Sequence, residues 1–340
     1  RIRTYLLIRD STSITYELPF LLARKYSTLN HLIKGRIAWN NVTSYLESAA
    51  RNLNLDTQIP HDERYAIAEE YLEVVFKLWK SSWKDDAVVK DANKGIFADP
   101  GRVRRINHEG NPAGKALASK HAECMFIAGM EPHIVRKSTE DIRARALEHG
   151  RDPQTLKLIV GMLVIVDETD EKARAKYEEY LSYADLEGSL ALAAGWTGTD
   201  FGTFSDDEDF HFTGPPAIQS VVSSWSAAVP GSDGVKWTKK RVATELALGG
   251  PHPKAIGSPQ TVANIMQNWV DEAGIDGFNI PYAINPGDFE DLIKWLWTQL
   301  RKRGVFWEDY PATTTRENYL ADGKGPRLRE DHPGSAFKWH

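Results

Sequence analysis

The chain has 340 residues, 41% apolar and 26% charged, a balance that supports a large core and excludes a disordered chain. Its 42 basic and 47 acidic residues give a net charge of −5 with no basic block, so nothing electrostatic points to nucleic acid. No apolar run approaches the ~20 residues of a membrane-spanning helix, and the lone Cys124 excludes an internal disulfide or a cysteine metal cluster.

A single cysteine suits a reducing compartment, so a cytoplasmic location is expected, with no membrane partner. The chain starts Arg1-Ile2-Arg3 without methionine and without the apolar stretch of a signal peptide, which reads as a lost start or a fragment.

The first expected strand runs from about Thr4 to Ser13, and a helix follows over Leu18 to His31. Ile37 to Val42 reads as a short strand opened by Gly35-Arg36. Pro60-His61-Asp62 then starts an amphipathic helix with Tyr65, Ala68, Leu72, Val75 and Trp79 on one side. Asp62 and Glu63 in its first turn favour the positive end of the helix dipole. The polar stretch at about 85–110 reads as an excursion. Gly114 to Glu123 is helical, Cys124 to Ala128 a strand, and Ser138 to His149 a charged helix stopped by Gly150.

Leu156 to Val166, nearly continuous in apolar residues, predicts one strand covered on both sides, as in a parallel sheet. Asp170 to Tyr183 is a surface helix, and the Gly-, Ser- and Pro-rich 188–234 stretch is a second excursion. Ser258-Pro259 caps a helix that Gly274 ends. Gly277 to Ile280 is a short strand. A last helix covers Asp288 to Arg303, with Phe289, Leu292, Ile293, Leu296 and Leu300 expected inward. The division expected is one domain over 1–306 and a polar tail over 307–340.

Alternating strands and helices imply an α/β fold with a mainly parallel sheet. Neither G-x-G-x-x-G nor G-x-x-x-x-G-K-[ST] is present, so a barrel is the better reading than a nucleotide-binding doubly wound sheet. About five strands can be counted, against the eight of a closed barrel.

Several residues could carry chemistry. His61 and Tyr65 project together from a helix N-terminus, which suits an anion such as a phosphate or a reduced flavin; the alternative is that His61 caps and Tyr65 packs. Asn40, Thr43 and Ser44 lie at a strand's C-terminal end, where barrels place active sites, or serve only to form the turn. Asn111-Pro112 opens a helix and offers a second phosphate cradle. The ten histidines show no metal-ligand spacing, so no metal is expected.

Leu21 to Leu29, Gly35 to Asn40, Val42 to Asn52, His61-Asp62-Glu63-Arg64-Tyr65, Lys120-His121-Ala122-Glu123, Asp276 to Asn279 and Gly325 to Pro333 occur in the order of one family. They resemble the group of bacterial-luciferase-like flavin monooxygenases that contains nitrilotriacetate monooxygenase, pristinamycin synthase and dibenzothiophene sulfone monooxygenase. The resemblance implies a (β/α)8 TIM-barrel fold that binds reduced FMN supplied by a separate NAD(P)H-dependent flavin reductase. One atom of O2 enters a small organic substrate and the other leaves as water. It implies FMN contacts at Ser11, His61 and Tyr65, at Asn111 in place of the family's serine, and at Asn40. Family members are often dimeric, so a homodimer is expected.

Set against the family, the first, second and fifth strands are missing, the last at the Gly110/Asn111 junction. The barrel is therefore expected to be incomplete, with FMN binding weakened by unpaired edges. The competing reading is a truncated, inactive member or a defective gene model that does not bind FMN productively. Family substrates span aminopolycarboxylates, sulfones, antibiotics and alkanes. Tyr45 stands where the alkane branch has histidine, which argues against alkanes.

Overall fold

A computed structural model describes residues 8–106, 117–197, 200–205 and 238–339. They fall into two units, the first formed by Arg1–Glu123, Arg145–Leu156 and Asp309–His340, the second by Cys124–Ala144 and Lys157–Glu308. Among the described residues the strands form four small sheets, and none closes on itself. The Gly110/Asn111 junction lies outside the described residues.

In the first unit, β1 (Ile8–Ser13) and β2 (Ile37–Val42) pair in parallel, with Ser11 opposite Asn40. Helix Pro19–Leu32 connects them, as a parallel pair requires. This helix and helix His61–Ser81 bury Leu22, Ala23, Tyr26, Ala68, Tyr71, Leu72 and Val75 in one core. Trp39 packs among Tyr26, Tyr71 and Trp79 at 5.8–6.2 Å between ring centres. The Trp79 indole donates to Ala23 O at 3.0 Å. These four rings therefore belong to the core or pack against it.

The 85–110 stretch is more ordered than an excursion. β3 (Val88–Asp91) and β4 (Ile96–Ala98) form an antiparallel hairpin. Of the stretch expected as a tail, residues 309–340 belong to the first unit. Leu328 and Phe337 pack against its core, and helix Thr315–Leu320 starts with a capping box between Thr314 and Glu317. Thr315 N donates to Gly35 O at 3.0 Å. Gly35 holds φ +76°, and a Cβ there would lie 2.8 Å from Thr314 Cγ2. Gly35→Ala is expected to lower stability by about 1–3 kcal/mol, read from a urea unfolding midpoint; an unchanged midpoint would contradict this packing.

In the second unit, the Leu156–Val166 stretch is not one strand. β6 (Lys157–Gly161) sits between β5 (Cys124–Ile127) and β9 (Gly277–Asn279) in a parallel sheet. β7 (Leu163–Val166) pairs instead with β8 (Lys254–Gly257). The change of partner occurs at Met162, whose N–H goes to Asn279 O at 3.0 Å, while the next N–H goes to Pro253 O at 2.9 Å. β8 was not expected, because its four residues follow a Gly- and Pro-rich stretch that reads as loop.

Helix Pro259–Ala273 begins at Ser258, which accepts from Thr261 N, and ends at Gly274 with φ +67°. The last long helix carries a π segment over Leu292–Trp297. Leu292, Leu296 and Leu300 are buried, but Phe289 and Ile293, expected inward, are 36% and 52% exposed. Every fourth residue faces in, and those two fall off that stripe. Helix Leu186–Thr197 occupies the start of the 188–234 excursion; residues 206–237 lie outside the described residues.

Candidate functional site

The first unit's two parallel strands present their C-terminal ends together. Side chains alternate along a strand, so Ser11 and Asn40 share one face while Asp10, Thr12 and Trp39 take the other. On the second face, Thr12 Oγ1 meets the Tyr26 hydroxyl at 3.0 Å and Trp39 joins the core. On the first face, Asn40 Nδ2 donates to Ser11 Oγ at 3.0 Å. These two sequence-predicted residues are therefore in direct contact, opposite the face that carries the helices.

The loop ends beyond the strands are tied. Ser13 Oγ and Ser44 Oγ lie 2.8 Å apart, and Thr15 Oγ1 donates to Thr43 O at 2.6 Å. Ser44 holds φ +55°, a conformation that costs a side-chain-bearing residue about 1–2 kcal/mol and persists where its surroundings fix it. Ser13 was not singled out in the sequence, although it lies two positions beyond Ser11 on the same face.

His61 and Tyr65 also come together, with ring centres 4.9 Å apart. His61 Nδ1 lies 3.0 Å from Asp62 Oδ1, and its side chain is half exposed. The helix they begin is entered from Pro60 with no side-chain cap, leaving first-turn N–H groups for an external acceptor. Tyr65 packs against the aromatic core that includes Trp39. Asn111, the fifth predicted residue, lies outside the described residues.

Arg64, in the same turn, was missed. It is buried to 5% exposure, and its Nε has no hydrogen-bond partner. No carboxylate pairs with it among the described residues. A buried N–H without an acceptor is costly, and three residues from His61 Arg64 lies on the same helix side. That cation, the uncapped helix start and the His61–Tyr65 pair suit the phosphate of FMN. The signal was present only as an arginine inside His61-Asp62-Glu63-Arg64-Tyr65; burial made it informative.

No group of three or more His, Cys, Asp or Glu able to hold a metal occurs among the described residues. Nor is any described helix long and apolar enough to cross a membrane.

Comparison with known proteins points the same way. The family model described as luciferase-like monooxygenase matches residues 11–277. Dimethyl-sulfide monooxygenase from Hyphomicrobium sulfonivorans is 40% identical, aligning 96% of this chain with 73% of the relative. Long-chain alkane monooxygenase from Geobacillus thermodenitrificans is 37% identical over 96% of this chain and 75% of its own. The crystal structure of a riboflavin lyase with modified FMN and riboflavin superposes with a TM-score of 0.84 at 30% identity, covering 98% of this chain and 78% of that one.

Proposed function

The chain belongs to the luciferase-like monooxygenase family and is a flavin-dependent monooxygenase; from that premise we propose that it oxygenates a small organic substrate with reduced FMN delivered by a separate NAD(P)H-dependent flavin reductase. The observation that carries the cofactor assignment is the buried Arg64, whose Nε has no partner, beside His61 and Tyr65 at an uncapped helix start. When bound and reduced, FMN supplies the electrons that activate O2.

The protein's own part is binding and orientation. Arg64 and the first-turn N–H groups hold the phosphate. Tyr65 offers its hydroxyl, and His61 a ring nitrogen, to the same group. The Ser11–Asn40 pair lies on the uncovered face of the strand ends, where it can exchange its mutual hydrogen bond for one to the flavin. Asn111 completes the phosphate site in this reading. The lone Cys124 suits work in a reducing cytoplasm.

The test compares reduced FMN with reduced riboflavin, which lacks the phosphate, by anaerobic calorimetry. The intact chain should bind FMN more tightly, and Arg64→Leu should erase about ten- to hundredfold of that preference, the worth of a charged hydrogen bond. Equal affinity for the two flavins would overturn the assignment. It would also favour the reading of a family member that does not bind FMN productively.

A further inference from the structure

Trp39 of β2 stands among redox-active rings that all belong to the first unit. Tyr26 lies 5.8 Å from it between ring centres, and Tyr71 and Trp79 each lie at 6.2 Å. Tunnelling falls off exponentially with distance, so rings this close exchange an electron readily. Trp39 directly precedes Asn40 of the candidate cofactor site and takes the opposite face of the strand. Where an oxidising equivalent on Trp39 comes to rest is decided by protons. An oxidised phenol or indole is a strong acid, and it is stabilised where a base takes its proton.

The hydrogen bonds single out one ring. Trp39 Nε1 is buried without a hydrogen-bond partner among the described residues, and so is the Tyr71 hydroxyl. The Trp79 indole donates to the Ala23 carbonyl, which is not a base. The Tyr26 hydroxyl instead donates to Asp10 Oδ2 at 3.0 Å, with the Asp10 carbonyl also in reach at 3.2 Å. Its one proton is thereby committed, so Thr12 Oγ1, 3.0 Å away, is the donor to the phenol oxygen.

The phenol is 3% exposed, whereas the Asp10 side chain is 39% exposed, with Lys25 Nζ 3.9 Å away. A proton handed to Asp10 therefore reaches water. Burial above all, against the opposing bond from Thr12, holds the Tyr26 phenol above its ordinary pKa. The proton accordingly leaves only when the ring is oxidised.

We propose that Trp39, Tyr26 and Asp10 form a discharge path, which moves an oxidising equivalent from beside the candidate cofactor site onto the Tyr26 phenol and releases the phenol's proton through Asp10. The oxidant is an oxygen-centred radical, RO•, of the class that peroxide from unproductive oxygen activation yields. RO• takes one electron from Trp39 and one proton from water and leaves as ROH. Trp39, with no acceptor for its own proton, is restored by an electron from Tyr26. The phenol O–H bond breaks, and its proton passes to Asp10 Oδ2 and on to water. The sum consumes RO• and the phenol and gives ROH and a neutral Tyr26 radical, still held by the Thr12 bond. A small thiol or ascorbate returns the electron, and water returns the proton through the same carboxylate. The use in protecting the site rests on the proposed flavin chemistry; the transfer itself does not.

Pulse radiolysis of the flavin-free full chain tests it. Azidyl radical oxidises indoles first, and conversion of indolyl into tyrosyl absorption is then followed at neutral pH. The parent should show a first-order phase whose rate is independent of protein concentration. Tyr26→Phe, which keeps the ring and its packing, should remove that phase. Tyr71→Phe, which deletes the neighbouring phenol that lacks an acceptor, should leave it unchanged. Asp10→Asn keeps the shape but not the base, and should slow it by about a hundredfold, the low end of what a positioned base contributes. This variant also gives the reading where Tyr26→Phe does not fold. Other pairs among the chain's 11 Trp and 12 Tyr give phases that these substitutions leave alone.

The proposal is overturned if the parent shows no such phase, if every phase survives Tyr26→Phe at the parent rate, or if Asp10→Asn changes none of them. None of these readings involves FMN. A chain that fails to bind FMN but shows the phase loses the flavin assignment and keeps the discharge path.

Discussion

Acidification from pH 7 toward pH 4 is expected to cost the first unit about 3 kcal/mol of stability through His332 alone. His332 is 3% exposed. Its Nδ1 accepts the Gly334 N–H at 3.0 Å, so the ring proton is on Nε2, which donates to His121 O at 2.8 Å. Phe76 covers it edge-on at 5.5 Å. A second proton would remove the acceptor from Gly334 and place a charge in this apolar setting.

Burial, with smaller contributions from Arg151 and His121, therefore pushes the imidazole down to about 4, against the hydrogen bond to His121 O and the Glu123 charge that oppose it. The unfolded chain takes the proton near the ordinary 6.5 and the folded chain only near about 4. Between those values the unfolded state binds more protons, so stability falls as pH falls. The contribution is whole above 6.5 and fully lost below about 4. Histidine ring shifts should show His332 still neutral at pH 5; titration near 6.5 in the native protein would sink the prediction. Glu69 adds in the same direction: burial opposes ionisation, but hydrogen bonds from His121 and Lys120 hold its carboxyl below the usual range.

His332 shows where sequence reading stops. The periodic and capped elements were legible: Ile37–Val42, the His61–Ser81 helix and the Ser258–Gly274 helix fall where pattern and caps put them. These are local signals. The C-terminal stretch was read as a polar tail because its buried groups are polar. Asn318, 1% exposed, is satisfied by Ala312 O and Thr314 O through its own Nδ2. Tertiary hydrogen bonds of this kind leave no periodicity.

The division of Leu156–Val166 was hidden for the opposite reason. Its apolar run is continuous, and only the partner strands, distant in sequence, decide where it breaks. In the candidate site, strand-end and helix-start positions singled out Asn40, His61 and Tyr65, and the family resemblance added Ser11. Arg64 needed its burial and its unpartnered Nε to be seen. The family pattern was legible because it depends on residue order alone, and residues 11–277 match it.

Replacing Arg151 by alanine is expected to lower stability by about 2–4 kcal/mol. Arg151 is 2% exposed and follows Gly150, whose φ of +74° ends the helix Pro132–Glu148. Its N–H returns to Ala146 O at 3.0 Å, which turns the side chain inward. Nη1 donates to Ser119 O at 3.0 Å and Lys120 O at 3.2 Å, carbonyls at the end of helix Leu117–His121 that have no partner within so short a helix. Burial depresses the guanidinium's affinity for its proton, while Asp331 and Glu123 act the other way. The charge is thus held by backbone acceptors and nearby carboxylates.

Alanine would remove the donor to the Ser119 and Lys120 carbonyls and leave a void the size of the side chain. Methionine fills the void but gives no hydrogen bond, so Arg151→Met should recover the packing part, roughly half of the loss. Urea unfolding at constant slope separates the two effects. The carbonyl contacts would carry no stability if Arg151→Met matched the parent. The whole assignment would fail if Arg151→Ala did, because a buried arginine that can be deleted without cost holds nothing in place.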